Sequence, residues 1–179
     1  MCVACWTLLA GCSDLKQQNV VVNDALPAVS DKDNDGCNNV SAIIESEEKK
    51  NGIPKGLLKA IADVESGCNP YYVNIRKRSL RFKSKDESMK FINDMLKKKR
   101  FNLSIGCLQL HYKSHKNHFS SVESMLSPKE NIAYAAKIIK NLYLKYGNWK
   151  EATKRYHASN PKYNSSYYRK VVKKYGREI

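Results

Sequence analysis

Leu58, Ile61 and Glu65 follow one another at spacings of three and four, so on a helix the carboxylate shares one stripe with apolar side chains. The stretch that carries them, residues 52 to 68, GIPKGLLKAIADVESGC, reads as a single helix. Pro54 suits its first turn, where a missing N–H leaves nothing unpaired, and Gly67 suits the left-handed residue just past its end. Leu57, Leu58, Ile61, Ala62 and Val64 supply the buried face. Burial disfavours a charged carboxyl, so Glu65 is expected to keep its proton to higher pH and to serve as a general acid. The same geometry also fits a residue on the rim of the core, paired with one of the many lysines.

Other residue types invite metal chemistry and fall short of it. His111, His115 and His118 could line one side of a helix or loop, and clustered imidazoles bind zinc. No zincin pattern containing Glu surrounds them and no Cys ligand stands at a suitable spacing. Residues 31 to 36, DKDNDG, match the first half of a calcium loop through Asp31, Asp33, Asp35 and a turning Gly36. The twelfth position should be a bidentate Glu and is Ala42, which leaves only a weak site using Glu45. An acidic linker is the better reading, and no metal or cofactor is expected.

The elements that would hold Glu65 follow from periodicity. Val40, Ile43, Ile44 and Glu47 suggest a helix from Asn38 to Lys50, joined through Asn51 and Gly52 to the Glu65 helix. Tyr71 to Asn74, Leu80 to Phe82 and Phe101 to Ser104 look like short strands, with a basic helix from about Lys85 to Lys99. Pro128 opens a long helix through Ile132, Ala135, Ala136, Ile139, Leu142, Tyr143 and Tyr146, closed by Gly147. Trp149 to His157 and Tyr163 to Tyr175 give two more, the last facing Tyr168, Val171, Val172 and Tyr175 inward. The expected fold is mainly α, an α+β helical domain with a small β-hairpin or sheet insert.

With 179 residues there is room for one domain and a tail. A formal charge of +15 implies an anionic partner without choosing among polymer, lipid and nucleic acid. Lys and Arg are dense from Arg76 to Arg100, and most of them read as a solvated face. No nucleic-acid recognition motif accompanies them, so nucleic acid is not expected as a partner.

Residues 2 to 11, CVACWTLLAG, are too short to span a bilayer but long enough for a signal-peptide core. Leu9, Ala10, Gly11 and Cys12 resemble a bacterial lipobox, in which the cysteine is lipidated and becomes the first mature residue. Ser13 resembles the residue that follows it in outer-membrane-destined lipoproteins. No Lys or Arg precedes the run. The expectation is export to the periplasm with Cys12 as an outer-membrane anchor, residues 13 to 36 as a polar tether, and residues 37 to 179 as the domain.

Four motifs in order resemble the soluble lytic transglycosylase family: Glu65-Ser66, SIGCLQL at Ser104 to Leu110, the helix from Asn131 to Gly147, and YHAS at Tyr156 to Ser159. The likeness covers about residues 37 to 175. It implies a goose-type lysozyme fold, with the insert beside the active-site cleft, and cleavage of the β-1,4 bond between N-acetylmuramic acid and N-acetylglucosamine in peptidoglycan, closing a 1,6-anhydro ring. It implies Glu65 as general acid and base, with Ser66, Ser104, Gly106, Gln109 and Tyr156 at the substrate, Tyr156 facing the acid. It also implies a Cys37–Cys107 disulfide with Cys68 free; Cys68–Cys107 is the competing pair. Leu108, where the family commonly has Met, and Ala158, which interrupts the usual YHS, depart from the pattern. Glycan strands and a secretion or flagellar apparatus are the partners such enzymes serve. A lysozyme-type muramidase or a catalytically silent wall-binding module would use the same cleft. A hydrolase needs a second carboxylate, and Asp63 faces away while Asp86, Glu87 and Asp94 lie in the basic insert.

Overall fold

The computed structural model describes residues 35 to 179 apart from 77 and 159, with side chains from Val40 onward apart from 161 and 162. The signal and tether residues, with Cys12, most of the calcium-loop pattern, and Ser159, lie outside it, as does the side chain of Cys37. Asp35 and Gly36, the end of that pattern, open helix α1 (Asp35–Asn51).

Helix α1 buries Val40, Ile44 and Glu48. The buried carboxylate is there because the next helix needs it. Glu48 accepts from the N–H groups of Leu58 and Gly56 at 2.8 Å and of Lys59 at 3.2 Å. These are the orphan donors of the first turn of α2 (Leu57–Ser66), whose positive end favours an anion. Helix α2 therefore begins later than Pro54 suggested: Gly56, at φ 86°, turns the chain left-handed just ahead of it. Its end is where the sequence puts it, with Gly67 and Cys68 both left-handed and donating back to Asp63 and Ala62 at 2.9 and 3.2 Å.

An antiparallel sheet follows, in the order β2-β1-β3-β4. Its strands are β1 (Tyr72–Ile75), β2 (Arg78–Arg81), β3 (Leu103–Ile105) and β4 (Leu110–His111). Val73 pairs with Ile105, Asn74 with Ser104, and Ser104 in turn with His111. Helix α3 (Lys85–Lys97) connects β2 to β3; Ser84 caps it by accepting from Glu87 N–H at 3.2 Å. Strand β4 and two short helices, α4 (Tyr112–His115) and α5 (Val122–Leu126), are too brief to show a period and were not expected.

Helix α6 (Pro128–Tyr146) is the central strut: Ile132, Ala135, Ala136 and Ile139 are fully buried. Helices α7 (Trp149–His157) and α8 (Pro161–Tyr175) pack against one another, α7 also against α6 and α8 also against α2. One core joins all of these to the sheet, and the chain is mainly helical with a small antiparallel sheet.

Candidate active site

Glu65 lies in the last turn of α2 with its side chain 5% exposed, and His157, the last residue of α7, brings Nδ1 to 3.9 Å from its Oε1. The His157 ring lies flat on that of Tyr167 from α8, with centroids 4.3 Å apart and planes 8° from parallel. Burial pushes the Glu65 carboxyl upward, yet the net direction is below the usual carboxylate range. Positive charge around it and donors on His157 and Tyr167 favour the anion by more. The raised carboxyl expected from the apolar stripe alone is thus corrected: burial does act upward, and the positive charge and donors around the carboxyl outweigh it.

The turn between β3 and β4 sits beside this end of α2. Ser66 Oγ donates to Cys107 O at 2.8 Å and contacts Ala62 O at 3.3 Å, while Arg81 Nη2 donates to Ser66 O at 3.1 Å. Inside the turn Asn131, fully buried, donates through Nδ2 to Ile105 O and Met125 O at 3.0 Å and accepts Leu108 N–H at 3.0 Å. Gly106 is left-handed at φ 81°, and a Cβ there would stand 2.4 Å from Asn131 Nδ2. Gln109 is left-handed too, at φ 48°, a strain that persists only where the surroundings hold it. Its Nε2 donates to Tyr72 O at 3.1 Å and Gly106 O at 2.9 Å.

A buried acid on a helix end, an imidazole beside it and a pinned, left-handed turn alongside mark a candidate site, and comparison decides the family. The model described as Transglycosylase SLT domain matches residues 42 to 175. The chain belongs to the transglycosylase SLT domain family. Protein IpgF of Shigella sonnei is 34% identical over 112 residues, 62% of this chain and 61% of that protein. The chain thus spans about three fifths of that relative's length. No solved structure matches.

Within this SLT domain the expected site residues separate into two groups. Glu65 and Ser66 are together at the end of α2, and Ser104, Gly106 and Gln109 are together on β3 and its turn. Tyr156 differs from expectation. It is fully buried and its hydroxyl donates to Leu108 O at 2.8 Å, so it braces the turn and its proton is committed there. Gln109 is 2% exposed with Nε2 engaged by backbone, which makes its described role that of a strut.

The residues beside the acid that sequence reasoning passed over are His157 and Tyr167. His157 is the second letter of the YHAS motif, and Tyr167 stands four residues before Val171, a spacing that marks the buried face of α8.

The cysteine expectation is corrected outright: Cys68 is disulfide-bonded, and Cys107 is a free, buried thiol. Both proposed pairs, each built on Cys107, therefore fail. Desolvation pushes the Cys107 thiol up to about 12 against a hydrogen bond from Ser66.

The three histidines do not converge on a metal. His111 bonds Ser114 and Asn102 at 2.9 Å, His115 reaches Tyr134 at 3.2 Å, and His118 stacks on Tyr134 with centroids 5.0 Å apart. Among the described residues no cluster of His, Cys, Asp and Glu could hold an ion.

Proposed function

We propose that the protein is a peptidoglycan lytic transglycosylase in which Glu65 acts first as acid and then as base. The observation that carries this is the sequestered Glu65 with His157 Nδ1 at 3.9 Å. Asp63 is paired with Lys174 at 2.8 Å, Asp94 with Lys98 at 2.9 Å, and Glu87 accepts the Lys83 N–H at 3.1 Å. Asp94 and Glu87 are thus used at home on α3 or its cap rather than set to activate water for a hydrolase.

In the reaction, Glu65 gives its proton to the glycosidic oxygen as the bond from the muramic acid C1 to that oxygen breaks. The sugar's own 6-hydroxyl bonds to C1, and its proton returns to the Glu65 carboxylate. A glycan laid over the carboxyl removes remaining water, and desolvation acts upward on it, toward the protonated form the first step needs. His157 favours the anion that the second step needs.

We place this activity in the periplasm, anchored through Cys12; the lipobox-like Leu9 to Cys12 supports it, and Cys12→Ser should release the protein from membranes. The decisive experiment is mass spectrometry of fragments from purified peptidoglycan treated with wild type and Glu65→Gln. Wild type should release 1,6-anhydro-muramic ends, lighter than a hydrolytic product by one water. The variant should lose at least on the order of a hundredfold in rate while still binding the wall. Reducing ends as the main product would make it a muramidase, and an active Glu65→Gln would overturn the assignment.

A further inference from the structure

A cavity of about 350 Å³ opens on the seam between α2 and α8. Lys55, Lys59, Asp63, Lys174, Tyr175 and Arg177 are among the residues lining it, and Glu65 is not. Lys59 precedes Glu65 by six residues, roughly 9 Å along the helix axis.

Its charges are unbalanced. Lys174 is committed to Asp63 at 2.8 Å. Lys55, Lys59 and Arg177 make no ion pair among the described residues. Arg177 is nonetheless held in place: Nη2 donates to the Tyr175 hydroxyl at 2.6 Å and the guanidinium stands 4.7 Å from the centre of that ring. The Tyr175 ring in turn lies against Gly56, where a Cβ would be 3.6 Å away.

The floor is therefore backbone and aromatic ring, and the rim is cationic on both helices. Lys55, in the turn just ahead of α2, and Lys59, in its first turn, both line the cavity, and Arg177, just past the end of α8, offers a planar fork suited to carboxylate. The volume decides what kind of anion fits. A water occupies about 30 Å³ in the liquid, so this space exceeds a bare inorganic ion and matches a short peptide.

We propose that this pocket binds the carboxylate-bearing stem peptide attached to the glycan strand, so that the domain reads the decoration of its substrate as well as its sugar backbone. The proposal rests on peptidoglycan being the substrate.

The test uses the full chain and a double charge reversal, Lys55→Glu with Lys59→Glu, at two exposed positions outside the Glu65 site. Free stem tetrapeptides, released from wall by an amidase, should perturb NMR signals of the start of α2 and the end of α8. The reversal should weaken that binding about tenfold or more, the sum expected for losing two exposed charge contacts and adding repulsion. Turnover of amidase-stripped glycan should be equal in both proteins, while KM for peptide-bearing glycan should rise in the variant alone.

Peptide binding unchanged by the reversal would overturn the proposal. So would inorganic phosphate binding as tightly as the peptide, which would mark an ordinary anion site. Glycan cleavage without peptide binding would sink this inference and leave the proposed activity standing. Peptide binding in a protein whose Glu65→Gln form is fully active would do the reverse.

Discussion

The turn from Gly106 to Gln109 and the basic insert of β2 and α3 hold polar groups in opposite ways. In the turn almost every polar atom is spoken for: Asn131 ties two carbonyls and an N–H, Ser66 holds Cys107 O, and Tyr156 holds Leu108 O. In the insert the ion pairs are exposed: Lys98 with Asp94 four residues before it, and Lys85 with Glu123 of α5. Such pairs contribute little to stability. The first region fixes backbone positions through buried hydrogen bonds beside the end of α2, and the second carries exposed charge without fixed geometry. Position and charge are thus supplied by separate parts of the fold, and substitutions should separate them.

The largest effect should come from Asn131→Ala. It strands Leu108 N–H, Ile105 O and Met125 O in a dry interior, and at about 1–3 kcal/mol per unsatisfied group the loss should be about 3–9 kcal/mol by urea denaturation. Near-normal stability would show that water replaces the side chain and that the turn is less rigid than its bonds imply. Gly106→Ala should cost about 2–4 kcal/mol, since it adds left-handed strain to a collision with Asn131 Nδ2. Coupling between the two in a double-mutant cycle would sharpen the picture of one shared joint.

His157→Phe should keep the stack on Tyr167 and act on pH dependence instead. The imidazole helps hold the Glu65 carboxyl low, so removing it raises that carboxyl. The proton then persists to higher pH, and the alkaline limb of the turnover profile should move upward. A limb that stays in place, or moves down, would take His157 out of the acid's control. On stability the sign is the linked one. A depressed Glu65 stabilises the fold above the ordinary carboxylate range and loses that contribution as pH falls through the depressed value, so the variant should lose part of it near neutrality.

The smallest effect on folding should come from the insert. Replacing Lys97, Lys98 and Arg100 together with Gln should shift stability by less than about 0.5 kcal/mol per site. Sedimentation with wall material should nevertheless weaken and become less salt-dependent, because exposed charges act within a screening length of roughly 8 Å at physiological ionic strength. Unchanged, salt-independent binding would mean that the charge is idle.

What the sequence made legible tracks how far each determinant lies from the residue it affects. Glu65 on its stripe, the left-handed Gly67 and the long α6 depend on neighbours three or four residues away, and all are found where expected. The start of α2 was misplaced because its cap is Glu48, eight residues upstream of Gly56 and reached only by folding α1 against it. Tyr156 and His157 adjoin in sequence and point to different tasks, one under the turn and one at the acid; periodicity alone cannot say which aromatic meets which loop. The direction of the Glu65 carboxyl was missed for the same reason, since His157 and Tyr167 come from helices more than ninety residues away. The motif order made the family legible but not the cysteine bonding, where Cys68 rather than Cys107 is oxidised.

That free thiol sets a timetable. Cys107 is sealed from solvent, and its thiol is pushed to about 12, so once the β3–β4 turn has closed it is neither ionised nor reachable by an oxidant. Before closure it is an ordinary cysteine competing with the others for Cys68. In an oxidising compartment the chain must therefore bury this turn before its cysteines choose partners, and a slow-folding variant such as Gly106→Ala should accumulate wrongly bridged molecules that the wild type escapes by folding first.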